Sequence, residues 1–535
     1  MSGPGGGLRQ SQAFLHSWSG LLLGWVLFIV FVAGTLAFYR DGLNRWMRPE
    51  LARVEQRAPV IAGAQRFLAG RAPDAKNWFI TLPNTSTAGA QLFWQPEPVE
   101  GQPRRRGRRD NQAIIGADGE PAVVRETRGG EFFYRMHFDL HYMPVIWARW
   151  LVGLAAMAML VAILSGIVTH KKIFKDFFTM RRDRGQRSWL DGHNAVAVLA
   201  LPFHLMITYT GLVTLMALLM PWAVVANYTD DQALSDVLFP FAEQVERSNT
   251  RVPLHDLDRL VEDAERRFGA PAGAVSVDLP GDAAARVTIS RAPTSMLSTR
   301  TPSLTYDGVS GALVWESPAP GGAAVTAGAM IGLHAGRFAD DGLRLVYFLC
   351  GVAGSIMVGS GLVLWTVKRR ARLPDPARPY FGFRLVEWLN IGVVGGFPLG
   401  IAVLFWANRL LPLGMKGRAD WEIHVMFMAW AAVLLVAALR SPKRAWTITL
   451  GLTGALLAAL PAYNMIATDR GIGAALGQGD HLLAGIDAMM LVFGLAYLVV
   501  ARRVGGHRAQ PTRVRDKTRV RDKAHRSPAA LEAAE

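Results

Sequence analysis

Eight stretches of mostly apolar residues, each near the length that spans a bilayer, decide what this chain can fold into. They lie near residues 15–38, 145–169, 195–225, 344–367, 386–405, 421–439, 446–463 and 482–500. A hydrocarbon core satisfies no backbone polar groups, so such stretches must be helical. The first is too long for a secretory signal, and no small-residue cleavage site follows it, so it reads as an uncleaved span. Charged residues make up 19% of the chain, below the ~25% usual in soluble domains. The formal net charge of +16 would suggest nucleic acid in a soluble protein. Here the cations cluster between apolar stretches, which makes them topology signals and argues against a nucleic-acid partner.

Those cations orient the set. Lys171, Lys172, Lys175, Arg181, Arg182, Arg184 and Arg187 follow the second stretch. Lys368-Arg369-Arg370 closes the fourth, Arg440, Lys443 and Arg444 follow the sixth, and Arg502-Arg503 closes the eighth. With alternating spans all of these fall on one side, which the positive-inside rule makes cytoplasmic, together with both termini. The segments 41–140 and 226–342 are then external, which in a bacterium with two membranes is the periplasm. The basic run at 104–109 falls on the outer side, within a segment long enough for the rule to lose force. The single cysteine, Cys350, lies in an apolar stretch and excludes an intramolecular disulfide.

The two external segments repeat one plan. Each opens on a helical pattern, residues 59–69 and 254–268, followed by alternating strands such as 78–82 and 274–279. Each then carries an Asp-Gly turn signal, Asp118-Gly119 and Asp307-Gly308, of the kind that favours tight hairpins. Each leads to a histidine before a span that ends alike, Ser165-Gly166-Ile167-Val168 and Ser360-Gly361-Leu362-Val363. A unit of small α+β domain plus helix has been used twice.

The residues His16-Ser17-Trp18-Ser19-Gly20, Ser165-Gly166, Trp189-Leu190-Asp191-Gly192-His193-Asn194, His334-Ala335-Gly336-Arg337-Phe338 and Trp365-Thr366-Val367-Lys368-Arg369 give the chain a specific likeness. Over about residues 10–372 it resembles the PepSY domain with its associated transmembrane region. The resemblance implies an α-helical integral membrane protein of about eight spans with two small α+β PepSY-like periplasmic domains. The expected organisation is a cytoplasmic start and first helix at 1–40, a first external domain at 41–140, and helices two and three with a basic loop at 141–225. A second external domain at 226–342, helix four at 343–372, a four-helix extension at 380–502 and a basic disordered tail at 503–535 follow. The extension resembles those of longer family members and carries no function from the likeness. Some members are haem-containing inner-membrane reductases of ferric siderophores, so the resemblance implies iron uptake in the bacterial inner membrane.

Histidine placement agrees with such chemistry. Ionisable residues at membrane depth are costly and usually functional, and neutral imidazole is a haem-iron ligand. His16, His170 and His193 mark the cytoplasmic ends of three spans, whereas His141 and His334 precede spans on the outer side. His204 lies eleven residues beyond His193, about 16 Å further along a straight helix and on nearly the same face. These six are the candidate ligands of two haem b groups stacked across the bilayer. His137 reads as a residue of the strand–helix join, sharing a face with His141 if the second helix starts early. His424 and His481 lie outside the repeated unit. Arg337, beside His334, is placed either to pair a haem propionate or to anchor at the interface.

No G-x-x-x-x-G-K-[ST], strand-borne G-x-G-x-x-G or H-E-x-x-H occurs, which counts against a built-in ATPase, nicotinamide domain or zinc protease. The expected donor is therefore quinol or a cytoplasmic flavoprotein, and the expected acceptor a ferric siderophore or other ferric chelate. Two rivals stand beside this oxidoreductase reading. One is a membrane-anchored binding or peptidase-regulatory module without cofactor. The other is a transporter, disfavoured because the repeat runs parallel rather than inverted.

Overall fold

The computed structural model describes residues 7–84, 86–97, 111–169, 186–238 and 240–507. The basic loop after the second stretch, His170 within it, and the tail lie outside the described residues. Among the described residues, six helices are long and apolar enough to cross a bilayer, or up to eight if each of two bent pairs is one span. The protein is a multi-pass membrane protein, mostly helical, with one small sheet.

The first span is a bent pair, α1 (Leu8–Leu22) and α2 (Gly24–Ala37), turning by 65°. A short helix α3 (Arg40–Trp46) leads to α4 (Arg57–Arg71) and to strands β1 (Asn77–Thr81), β2 (Ala90–Gln95) and β3 (Gln112–Ile115). Helix α5 (Gly129–Asp139) then precedes the span α6 (Val145–Thr169). The third span is again a bent pair, α7 (Gln186–Leu199) and α8 (Leu201–Thr214), turning by 68°. Here the single straight helix expected from the apolar run is corrected. Pro202 supplies no backbone N–H, so it starts a new helix, and the bend denies His193 and His204 a common face.

The segment between the third and fourth spans holds α9 (Leu257–Phe268), β4 (Ala272–Asp278), β5 (Arg286–Arg291), β6 (Ser303–Asp307) and β7 (Leu313–Glu316). An apolar helix α10 (Gly322–Ala335) and the long span α11 (Asp341–Arg370) follow. The four remaining spans are α12 (Phe381–Leu410), α13 (Arg418–Leu439), α14 (Pro442–Ala467) and α15 (His481–Gly506).

The strands of both segments join in one antiparallel seven-stranded sheet, ordered β3-β2-β1-β4-β5-β6-β7. The seam is β1 against β4, with Asn77 opposite Asp278 and Thr81 opposite Ala274, so each repeat presents its first strand to the other. Alternation puts Trp78 and Ile80 of β1 and Val275 and Val277 of β4 on the inner face. Helices α4 and α9 cover that face, burying Val60, Ala64, Leu68, Leu260, Val261 and Ala264 in one core. Gly119, with φ of +78°, turns the chain back after β3, as its Asp-Gly signal requires. Its carbonyl lies so close to Gly63 of α4 that any Cβ at Gly63 would overlap it.

Candidate functional site

The repeat brings histidines from its two halves together. His137 ends the turn of α5 beside α2, and His334 ends α10 beside α8. Their ring centroids are 5.9 Å apart, with planes tilted by 34°. The Nδ1 atoms of both rings face backbone carbonyls, Val30 O at 2.8 Å for His137 and Ile207 O at 3.0 Å for His334. A glycine floors each ring, Gly34 under His137 and Gly211 under His334. The same sequence spacing separates Val30 from Ile207, Gly34 from Gly211 and His16 from His193. The arrangement is thus one half-site used twice.

This geometry suits a metal held between two imidazoles. Nδ1–H donation to a carbonyl fixes the tautomer that leaves Nε2 as ligand and raises its basicity. No described hydrogen bond engages Nε2 of either ring. Two imidazoles that shared one metal at roughly 2 Å each would have ring centroids up to roughly 6 Å apart, close to the 5.9 Å seen here. The glycines leave flat space where a Cβ would otherwise press on the ring. The residues present therefore fit a bis-histidine haem at this level.

A second level lies toward the ends of the spans that carry the basic clusters. His16 of α1 faces the carbonyl of Ala162 in α6 through Nδ1 at 3.0 Å, and its ring lies over Gly166. His193 of α7 has Nδ1 3.0 Å from the Ser360 hydroxyl in α11, and its ring lies over Gly361. Each is again a ring braced by the opposite helix of its own repeat, over the glycine of a Ser-Gly pair.

The other expected ligands stand apart. His204 is 1% exposed, with Nε2 3.3 Å from the Cys350 carbonyl and its ring edge-on to Phe31. Its Nδ1 is buried without a partner among the described residues. It sits one turn before Ile207, between the two levels, and has Leu27 as its counterpart in the first repeat. His141 packs against Phe132, Tyr142 and Phe427 rather than another histidine. Because α5 ends at Asp139 and α6 starts at Val145, His137 and His141 do not share a helix face, which corrects that expectation. By sequence His137 ranks below His141 as a ligand candidate, although the recurrence of a histidine after each Asp-Gly turn pairs it with His334 in the repeat.

Between sheet and spans lies a cavity of about 3570 Å³ that reaches His137, His141 and His334. Eleven arginines and seven acidic residues line it, so its wall is cationic on balance even though Arg40, Arg149 and Arg344 pair with carboxylates. Among the described residues, no group of three or more His, Cys, Asp or Glu could hold a bare metal ion.

The four C-terminal spans meet this site through buried polar contacts. Thr127, just before α5, donates to Glu422 at 2.5 Å, and Glu422 also takes Asn408 at 2.8 Å and Arg418 at 2.5 Å. Trp46 of α3 donates to Asp487 of α15 at 2.8 Å, and Arg45 pairs with Asp480. The helix that carries His137 is thereby fixed from outside the repeat.

A protein of Pseudomonas aeruginosa described only as uncharacterized is 29% identical over 353 residues, covering 63% of this chain and 87% of the relative. The family model for the PepSY-associated TM region matches residues 13–368, which hold both histidine levels and the whole sheet and stop short of α12. On that match, over more than half its length, the chain belongs to the PepSY-associated transmembrane region family.

Proposed function

We propose that the protein is a di-haem oxidoreductase of the bacterial inner membrane, with both external segments forming paired PepSY-like periplasmic domains and both termini cytoplasmic. The carrying observation is the His137–His334 pair, 5.9 Å apart with both Nδ1 atoms on backbone carbonyls. His137 and His334 would hold the outer haem, and His16 and His193 the inner one. Haem supplies one-electron transfer, and two haems would take up the two electrons that a quinol or flavin donor releases. Quinol or a cytoplasmic flavoprotein would donate. The acceptor would enter the cavity, where the arginines attract anionic chelates. A ferric siderophore fits that description, and its reduction loosens hard oxygen ligands from iron.

The chain's own residues hold, orient and insulate. Val30 and Ile207 carbonyls fix the outer imidazoles, and Ala162 and Ser360 fix the inner ones. The test is the optical spectrum of the purified protein with a pyridine haemochrome titration. Two b-type haems per chain are expected, with one lost in His137→Ala or His334→Ala. A dithionite-reduced sample without Soret and α bands refutes the reading.

A further inference from the structure

The turn between α5 and α6 is strained, and it meets a helix from beyond the family match. Leu140 and Tyr142 have φ of +42° and +63°, two of the four non-glycine residues with positive φ among those described. Such conformations cost free energy and cluster where a site requires them. Here they turn His141 and Tyr142 toward α13. The Tyr142 hydroxyl hydrogen-bonds to Nδ1 of His424, with the two rings within 10° of parallel. His141 lies 4.3 Å from the Tyr142 ring, and Phe427 closes against both at 5.6 and 4.8 Å. Trp421 stands edge-on to His424 at 5.5 Å. Helix α13 is held in this position by Thr127 on Glu422 and by the Arg128–Asp420 ion pair.

Nothing in the second repeat matches this cluster. The residues spaced from His334 as His141 and Tyr142 are from His137 are Phe338 and Ala339. The cluster is therefore an addition to the paired half-sites, and it needs a helix the family match does not contain. Its chemistry is two imidazoles and a phenol around aromatic walls. Its position is the end of two spans, where Tyr142 is 60% exposed and Val145, Ile146 and Trp147 beside it are exposed apolar residues of a membrane helix. A ligand arriving from lipid with a flat ring and two ionisable hydroxyls matches each of these features.

The geometry points to a binding site for the headgroup of a membrane quinol, formed by His141, Tyr142, His424 and Phe427. One quinol hydroxyl bonds to His141 and the other to the Tyr142–His424 pair, with Phe427 against the ring and the tail in lipid. The inference rests on the di-haem reading and fixes its electron donor. Oxidation to quinone releases two electrons and two protons. The protons go to His141 and, through Tyr142, to His424, and one electron goes to each of the two haems that the paired histidines would hold. His141 packs on Phe132 of α5, the helix that carries His137, which places the quinol beside the outer level.

The test uses the full chain in nanodiscs and decylubiquinone as the probe, with binding followed by calorimetry and by quenching of tryptophan fluorescence. Saturable binding is expected, weakened about tenfold by Tyr142→Phe and by His424→Ala, each removing one hydrogen-bonding group. His255→Ala, in the external segment, should bind as the parent does. Reduction of the pigment by decylubiquinol should slow in both variants while dithionite still reduces it fully. Absence of saturable binding, or equal affinity in parent and both variants, overturns the site. A sample that binds decylubiquinone with these sensitivities but lacks haem bands supports the site and refutes the di-haem reading.

Discussion

A single methyl group at Gly34 should dismantle the outer histidine pair. A Cβ built there would lie 2.6 Å from Nδ1 of His137 and 2.7 Å from its Cε1, well inside any real carbon contact. The ring must retreat by about 1 Å to restore van der Waals distance. Its 2.8 Å link to the Val30 carbonyl then stretches beyond hydrogen-bonding range. Overpacking of this kind costs about 1–3 kcal/mol, and the lost hydrogen bond adds about 1 kcal/mol. A shift of 1 Å is also half a metal–ligand bond, so an iron shared with His334 loses one ligand. Gly34→Ala is therefore expected to retain one haem per chain instead of two, with a lowered thermal midpoint in detergent. Gly211→Ala, whose Cβ would meet the His334 ring at 2.9 Å, should behave likewise. Gly20→Ala, with nothing within 4 Å, is the control. Haemochrome stoichiometry and a melting curve read both effects. If Gly34→Ala kept two haems and the parent midpoint, the close approach on which the bis-histidine argument depends would be wrong.

Two further outcomes follow from groups outside the histidine pairs. Burial pushes the Asp282 carboxyl up, but donation from the Ser248 hydroxyl and from the Ala284, Ser248 and Asn249 amides outweighs it and brings the group down to about 2. A depressed folded value gives stability that is complete above the ordinary carboxylate range and fades as pH falls toward 2. The melting temperature should therefore drop through that window, and Asp282→Asn, less stable at neutral pH, should lose much of this acid sensitivity. Glu422→Ala leaves the buried Arg418 guanidinium without its carboxylate, a loss of about 3–5 kcal/mol. Differential scanning in detergent should show Glu422→Ala well below the parent and Glu422→Gln between them; equal midpoints would show the cluster carries no weight.

Span positions were legible because hydrocarbon length is a strong filter, and the apolar stretches lie along the helices observed, except that the third, 195–225, runs eleven residues past the end of α8 at Thr214. The paired helix–strand pattern was legible too, since alternation at Trp78 and Ile80 and the Asp-Gly turns are local signals. The joining of both segments in one sheet was not, because the β1–β4 register depends on partners about 200 residues apart. The bends at Leu23 and Ala200 were also hidden. Apolar composition records membrane depth and says nothing about direction, although Pro202 marked the second bend. Depth along the chain selected His16, His193, His204 and His334 as candidates, and of these the structure sets His334 beside another histidine, His137. Pairing depends on which helix faces which, so depth could not separate His204, which lies between the levels, from His137, which meets His334.

The seam between the repeats sets a condition on biosynthesis. Until residues 272–278 have left the ribosome, the inner edge of β1 has no neighbour to hydrogen-bond with. At ~5–20 residues per second that interval lasts roughly 10–40 s. A half-made chain therefore carries an open strand edge and keeps it open while two more spans are inserted. Duplication has here produced halves that mature only together, so damage to either one strands the other.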